Sequence, residues 1–326
     1  RRCGQMMIYR LDGGANDSLG CGAVKNTAVA LGRFDAIHIG HMRIIKKTVE
    51  YARKHSLAAA VFMFDNDPTE VILGNSVPNV TSREKREEIL KDLGVDIIIE
   101  KKFDSEFMRL SCREFVQKYM NDLLGARYAA AGFNYRFGKG GEGDVETLAK
   151  LCGEFGITTE TVGEVTLGGK TVSSSRIRAA VADGDVESAA QMLGRFFSIS
   201  GTIVKGNHIG KSFGFATANI PVPDNGIVPK TGVYISVAKL GGKEYSAITN
   251  VGSRPTVGEP RKCIETHIDG EFGDLYGERI EVEFCRFIRE IKNFNNVSEL
   301  AAQLTTDREK SREYYKELSH KGGFIQ

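Results

Sequence analysis

Long apolar runs are missing from this 326-residue chain. None approaches the roughly 20 residues that a membrane span needs, so no membrane partner is expected. Paired cysteines are missing as well. The six cysteines, Cys3, Cys21, Cys112, Cys152, Cys263 and Cys285, are scattered with no CxxC pair, which reads as free thiols in a reducing compartment. An excess of one charge sign is also absent: 44 Lys and Arg against 42 Asp and Glu leave a net charge of +2. That balance gives no support for a nucleic-acid-binding surface. Arg1 and Arg2 are not followed by an apolar stretch, so no secretory signal is expected and a cytoplasmic location is. The first residue is Arg rather than Met, which reads as a fragment or an added end. There is no internal repeat and no low-complexity tract.

What is present is ordinary for a soluble globular protein, with 26% charged and 41% hydrophobic residues. The length suggests about two domains. From about residue 27 to 193, short apolar runs (28–31, 57–64, 95–99, 126–131 and 157–162) alternate with amphipathic helical segments. Thr81 with Glu84 and Ser111 with Glu114 fit capping boxes at helix starts. Such alternation predicts a parallel sheet covered on both faces. Helices over 175–193 form a bridge, with a break at Ala182-Asp183-Gly184-Asp185. From about Ser198 the period changes to two, as over 232–240 and 279–287, with Gly and Pro between the runs. That pattern predicts an antiparallel barrel or sandwich, closed by a long helix from Val297 to about Leu318.

The segment Gly32-Arg33-Phe34-Asp35-Ala36-Ile37-His38-Ile39-Gly40-His41 sits between an apolar run and a helical pattern through Ile44, Ile45, Val49 and Ala52. A helix N-terminus aims unpaired N–H groups and the positive end of its dipole at such a turn. His38 and His41 are able to donate to phosphate oxygens there, so the residues read as an anion site for a nucleotide triphosphate. Metal binding by the two histidines is the weaker reading, because no third ligand stands at a familiar spacing. In α/β sheets ligands bind beyond the carboxyl ends of strands, where this turn is expected to lie.

Four more segments of the first half suit a nucleotide site: Phe64-Asp65-Asn66-Asp67-Pro68; Gly132-Phe133-Asn134-Tyr135-Arg136-Phe137-Gly138; the loop 139–144; and Ser173-Ser174-Ser175-Arg176-Ile177-Arg178. The last opens a helix with hydroxyl and guanidinium groups suited to phosphate. In the second half, a glycine-rich stretch with Gly206, Gly210 and Lys211 leads to Thr217 and Asn219. A hydroxyl and an amide oxygen two residues apart share one strand face and are hard ligands, suited to Mg²⁺-nucleotide. The spacing is not that of a P-loop. Asn250 through Val257, Ile264-Glu265-Thr266-His267 and Asp274-Leu275-Tyr276-Gly277 supply further polar groups.

The 32–41 segment resembles the HxGH signature of nucleotidylyltransferases, in the GxFDGxHxGH form of FAD synthetases. The other first-half segments resemble the TFxPHP, GxNFxFG and Ser-Ser/Thr-x-x-Ile-Arg runs of the same module. The second half resembles the GRxLGFPTAN, NxGxRPTF and DLYG runs of riboflavin kinases. Over residues 25–295 the chain is therefore similar to bacterial bifunctional riboflavin kinase/FAD synthetases. The resemblance implies a Rossmann-like nucleotidylyltransferase sheet over residues 1–184 and a riboflavin-kinase barrel with a terminal helix over 185–326. It implies phosphorylation of riboflavin to FMN, then adenylylation of FMN to FAD with release of pyrophosphate, both using ATP and Mg²⁺. Glu265 is the implied kinase base, with Thr217 and Asn219 on Mg²⁺-ATP, Gly206, Gly210 and Lys211 on nucleotide, and Asn250 and Arg254 on flavin. His38 and His41 are the implied adenylyl-transfer residues, with Gly32, Phe34, Asp35, Asn134, Ser174, Ser175 and Arg176 on nucleotide.

Three residues depart from these patterns. Ala36 and Asp67 stand in place of Gly and His, and Ala216 replaces Pro. Ala36 is expected to strain the turn if the backbone there needs positive φ. Asp67 is expected to put an anion near phosphate. The rival readings are a riboflavin kinase with an impaired first module, a non-catalytic flavin or nucleotide sensor, and a nucleotidylyltransferase for another substrate.

Overall fold

Alternating apolar runs and helices build a six-stranded, all-parallel sheet in the first part of the chain. The structure is a computed structural model that describes residues 6–12, 24–205, 216–254, 261–294 and 296–320. In chain order the elements are β1 (Met7–Leu11), β2 (Thr27–Leu31), α1 (Ile39–Lys54), β3 (Ala58–Phe64), α2 (Pro68–Leu73), α3 (Arg83–Asp92), β4 (Ile97–Lys101), α4 (Cys112–Phe115), β5 (Ala126–Gly132), α5 (Val145–Glu154) and β6 (Thr158–Val162). The strand order β1-β4-β3-β2-β5-β6 places β2 at the centre. The chain runs outward from β2 through β3 to β4, then returns to β5 on the other side of β2. The topological switch point therefore lies between the carboxyl ends of β2 and β5.

Both faces of this sheet are covered, as its apolar runs predict. Val29 and Leu31 pack with Phe115, Val116, Tyr119 and Leu148 on one face. Ala28 and Ala30 pack with Ile44, Ile45, Ala52 and Leu90 on the other. The Ser111–Glu114 capping box forms at the start of α4, which runs on into a π-helical stretch, Val116–Leu123. Thr81 accepts a hydrogen bond from Arg195 at 3.1 Å. Strand β1 was not legible in the sequence pattern; it is an edge strand paired with β4.

The chain divides into two compact units, residues 1–77 with 83–172 and residues 78–82 with 173–326. A small hairpin of β7 (Thr166–Leu167) and β8 (Lys170–Thr171) ends the first. The second opens with α6 (Ser174–Asp183) and α7 (Val186–Leu193). The expected break falls between them, with Gly184 in the left-handed conformation and Asp185 capping α7 through Ser188 N–H at 3.0 Å.

Strands β9 (Phe197–Thr202), β10 (Ala216–Ile220), β11 (Gly232–Leu240), β12 (Lys243–Arg254), β13 (Arg261–Ile268) and β14 (Arg279–Arg289) form an antiparallel sheet ordered β10-β13-β12-β11-β14-β9. Its two edges curl toward each other. Val204 N–H donates to Asn219 O at 2.9 Å, and a Cβ on Gly201 would lie 2.7 Å from Ile220 Cγ2. Glycine permits this close approach, which turns the sheet toward a barrel.

The closing helix α8 (Val297–His320) lays Tyr314, Tyr315 and Leu318 against Val233, Ile235, Val237 and Ile248. Two ion-pair groups pin it. Buried Asp307 accepts from Arg289 of β14 at 2.7 and 3.0 Å. Asp269, just past β13, accepts from Arg308 and Arg312, each at 2.7 Å, and these guanidinium groups hold its carboxyl below the ordinary carboxylate range, Arg312 foremost.

Candidate active sites

The turn 32–41 joins the carboxyl end of β2 to α1, beside the switch point. His38 caps α1, its Nδ1 accepting from His41 N–H at 3.2 Å. A ring whose Nδ1 accepts carries its proton on Nε2 in the neutral form, leaving a donor. The two imidazoles stack with centroids 3.7 Å apart and planes 16° from parallel, and Phe34 meets His41 edge-on at 5.1 Å. Parallel rings suit two donors lining one anion better than two lone pairs converging on a cation. Among the described residues no three His, Cys, Asp or Glu side chains cluster as a metal site.

The expectation about Ala36 is corrected by the backbone. Ala36 is buried and does not take positive φ; Phe34 at 49° and Ile37 at 42° do. Such conformations cost about 1–3 kcal/mol each for ordinary residues and persist when packing enforces them. Phe34 and Ile37 are both fully buried. The Phe34 ring folds over Gly32, where a Cβ would lie 2.8 Å from Cζ. Gly32 is thus needed for the ring to seat, and the strain of the turn is held by its core side chains.

Asp35 is buried in the same turn. Facing it from α3 is Arg86, a buried guanidinium that motif reading missed. Burial pulls the Arg86 pKa down, and the charges of Asp35 and Glu100 oppose that shift. Asn134 follows β5, its Oδ1 folded back to within 3.5 Å of where a Gly132 Cβ would stand. This places it at the other lip of the switch point. Asp67 is the N-cap of α2, accepting from Thr69 N–H at 2.8 Å, and its second oxygen pairs with Arg33. It is therefore not a bare anion beside the turn, contrary to expectation. Ser174, Ser175 and Arg176 open α6 in the second unit, where the N-cap is Ser173, accepting from Arg176 N–H at 3.3 Å.

The other constellation is set by strand register. Asn219 of β10, Glu265 of β13 and Asn250 of β12 lie directly opposite one another across three strands. Opposed residues of antiparallel strands share a face, so the three side chains form one row. The next row holds Thr217 and His267, with Thr217 Oγ1 3.0 Å from His267 Nδ1. Burial lowers the His267 pKa, and the charge of Glu265 opposes the shift; neutral imidazole is the form that suits a hydroxyl partner. Asn250 Oδ1 is buried with no hydrogen-bond partner among the described residues, an acceptor whose desolvation a substrate would compensate.

His267 went unassigned in the sequence; its i+2 spacing from Glu265 was the available signal. The Asp274-Leu275-Tyr276-Gly277 turn forms, with Tyr276 N–H donating to Asp274 Oδ1 at 3.1 Å and Gly277 at φ 83°. Arg254 ends β12 opposite Arg261. Gly206, Gly210 and Lys211 lie outside the described residues, and Ala216 begins β10.

A phosphate-suited turn at the switch point of a parallel sheet, followed by a hydroxyl, amide and carboxylate face on an antiparallel barrel, defines a two-module class of nucleotide-dependent transferase. Comparisons with known proteins give the particular family. The FAD synthetase family pattern matches residues 22–176 and the riboflavin kinase pattern residues 193–315. A bifunctional riboflavin kinase/FMN adenylyltransferase of Listeria monocytogenes is 35% identical over 298 residues, covering 90% of this chain and 94% of that protein. The proteins of the same description from Escherichia coli K12 and Bacillus subtilis 168 are each 33% identical, covering 88% and 90% of this chain and 92% and 93% of their own lengths. A crystal structure described as a macrolide-efflux protein from Streptococcus pneumoniae superposes with a TM-score of 0.82 at 30% identity, covering 89% of this chain and 95% of that one. Among the described residues of the present chain, no helix is long and apolar enough to cross a membrane. The chain belongs to the bifunctional riboflavin kinase/FMN adenylyltransferase family.

Proposed function

We propose that this chain phosphorylates riboflavin to FMN and adenylylates FMN to FAD with release of pyrophosphate, using ATP in both steps, with the labour divided between residues 1–184 and 185–326. The two family patterns, in that order along one chain, support the pair of activities. The row Asn219–Glu265–Asn250 is the observation that carries the residue assignment for the kinase.

In the kinase, Glu265 accepts the proton of the ribityl 5′-hydroxyl as its oxygen attacks the γ-phosphorus of ATP. Asn250 and Arg254 orient the flavin. Gly206, Gly210 and Lys211 are assigned to the nucleotide on sequence resemblance. Thr217 and Asn219 present a hydroxyl and an amide oxygen on one strand face, a donor set that fits Mg²⁺. Bound there, Mg²⁺ supplies charge neutralisation for the transferring phosphoryl group.

In the adenylyltransferase, the FMN phosphate attacks the α-phosphorus of ATP and pyrophosphate leaves. No residue need become covalently bound. His38 and His41 stabilise the charge that builds on the phosphate oxygens. Gly32, Phe34, Asp35 and Asn134 shape the nucleotide site, and Ser174, Ser175 and Arg176 are assigned to it by resemblance. Incubating the protein with riboflavin, ATP and Mg²⁺ and separating the flavins by chromatography tests the reading. FMN followed by FAD is the expected result. FMN alone would reduce the chain to a kinase, and unchanged riboflavin would make it a binding protein.

A further inference from the structure

A hydroxyl that is to meet a cation depends on where its proton points, and the barrel gives Thr217 a partner for that proton. His267 of β13 stands opposite Thr217 in the register of β10 and β13, and its Nδ1 lies 3.0 Å from Thr217 Oγ1. Across the next strand His267 is opposite Ile248 of β12, a buried residue of the core beneath α8. Opposed residues share a face, so the imidazole is seated between an apolar neighbour and the hydroxyl. Two residues back on the same strand face is Glu265, in the row with Asn219 and Asn250.

Amide and hydroxyl differ as cation contacts. The amide oxygen of Asn219 carries no proton, so it needs no orienting partner to present a lone pair. The Thr217 hydroxyl has one proton and two lone pairs, and a proton turned toward a cation opposes binding. An imidazole nitrogen that accepts this proton removes that outcome. It also selects one of the staggered χ1 positions of the side chain, so the oxygen is set before the nucleotide arrives.

We propose that His267 is the positioning residue of the kinase's Mg²⁺-nucleotide contact: its Nδ1 accepts the Thr217 hydroxyl proton and leaves the Oγ1 lone pairs for the cation. His267 acts through Thr217 and carries its own proton on Nε2. This rests on reading Thr217 and Asn219 as the Mg²⁺ contact.

Two measurements on the full chain test it. One is the Mg²⁺ concentration that half-saturates riboflavin phosphorylation; the other is ATP binding by calorimetry, in Mg²⁺ and in EDTA. Thr217→Val removes the hydroxyl at nearly constant shape, and His267→Phe removes the acceptor but keeps a ring. Each is expected to raise the half-saturating Mg²⁺ about tenfold, and to weaken ATP at one site in Mg²⁺ but not in EDTA. The double variant should be no worse than Thr217→Val, since the two groups act as one unit. His267→Asn offers an oxygen near the place of Nδ1 and is expected to recover most of the Mg²⁺ affinity. His267→Gln reaches instead toward the place of Nε2 and is expected not to. A hydrogen bond that only ties two strands together would lower the melting temperature and leave the Mg²⁺ requirement unchanged.

A raised Mg²⁺ requirement in Thr217→Val with an unchanged one in His267→Phe overturns the proposal and leaves the Mg²⁺ reading of Thr217 standing. An unchanged requirement in Thr217→Val removes that reading, and the proposal with it. If His267→Phe does not fold, the other two His267 variants decide: equal Mg²⁺ requirements in His267→Asn and His267→Gln overturn the proposal.

Discussion

The two sites are built on opposite principles. The 32–41 turn is a run of consecutive residues at the carboxyl end of the central strand of a parallel sheet, held by buried Phe34 and Ile37 in left-handed backbone. The kinase face is assembled from residues far apart in sequence, on strands whose backbone is regular and whose register does the positioning. A turn places its groups by local backbone strain, whereas a sheet places them by hydrogen-bonded pairing. Damage should therefore spread differently in the two.

The sharpest break of that comparison is Glu265→Ala. It removes one carboxylate from a rigid row, and FMN formation should fall about a hundred- to ten-thousandfold, while FAD formation from supplied FMN continues. Residual FMN formation near the unmodified rate would take Glu265 out of the mechanism. His41→Ala comes next. Loss of a preorganised donor should lower FAD formation about a hundredfold, with riboflavin phosphorylation largely intact. Equal loss of both activities would show that the two regions do not work independently.

A stability contrast follows. Asp307→Ala leaves the Arg289 guanidinium without its buried partner and should destabilise the barrel unit by about 3–5 kcal/mol in denaturant titration. Kinase activity should disappear at lower urea in the variant than in the unmodified chain; an unchanged midpoint would take Asp307 out of that role.

The smallest expected effect depends on pH. The folded pKa of Asp269 is depressed, so its contribution is present above its unfolded value of about 3.9 and is lost as pH falls through the folded value. Asp269→Asn should cost about 1 kcal/mol near neutrality and flatten the acid loss of α8 docking, as followed by melting from pH 6 to 3. An unaltered acid profile would remove Asp269 from that role.

Legibility in the sequence tracked this same contrast. The alternation of runs and helices was readable because buried parallel strands are continuously apolar and helices repeat with their own period. The Gly184 break and the Ser111–Glu114 box were readable because each follows from neighbouring residues. Strand β1 was not, since Met7–Leu11 contains Arg10 and owes its place to pairing with β4. The π-helical stretch 116–123 carries no local mark that separates it from an α-helix. Ala36 was expected to be the strained position because Gly is usual there, and the strain lies instead at Phe34 and Ile37, where burial enforces it.

The sequence alone determined the order of the two modules, the histidine turn at a strand–helix junction and the chemistry of the candidate ligands. These are properties of residues within a few positions of one another. Only the tertiary structure decided that Asn219, Glu265 and Asn250 share a row, that Thr217 leans on His267 and that Arg86 faces Asp35. It also decided that Arg33 covers Asp67. Strand register and the packing of β3 beside β2 are settled by the burial of whole faces, which no short window of sequence contains.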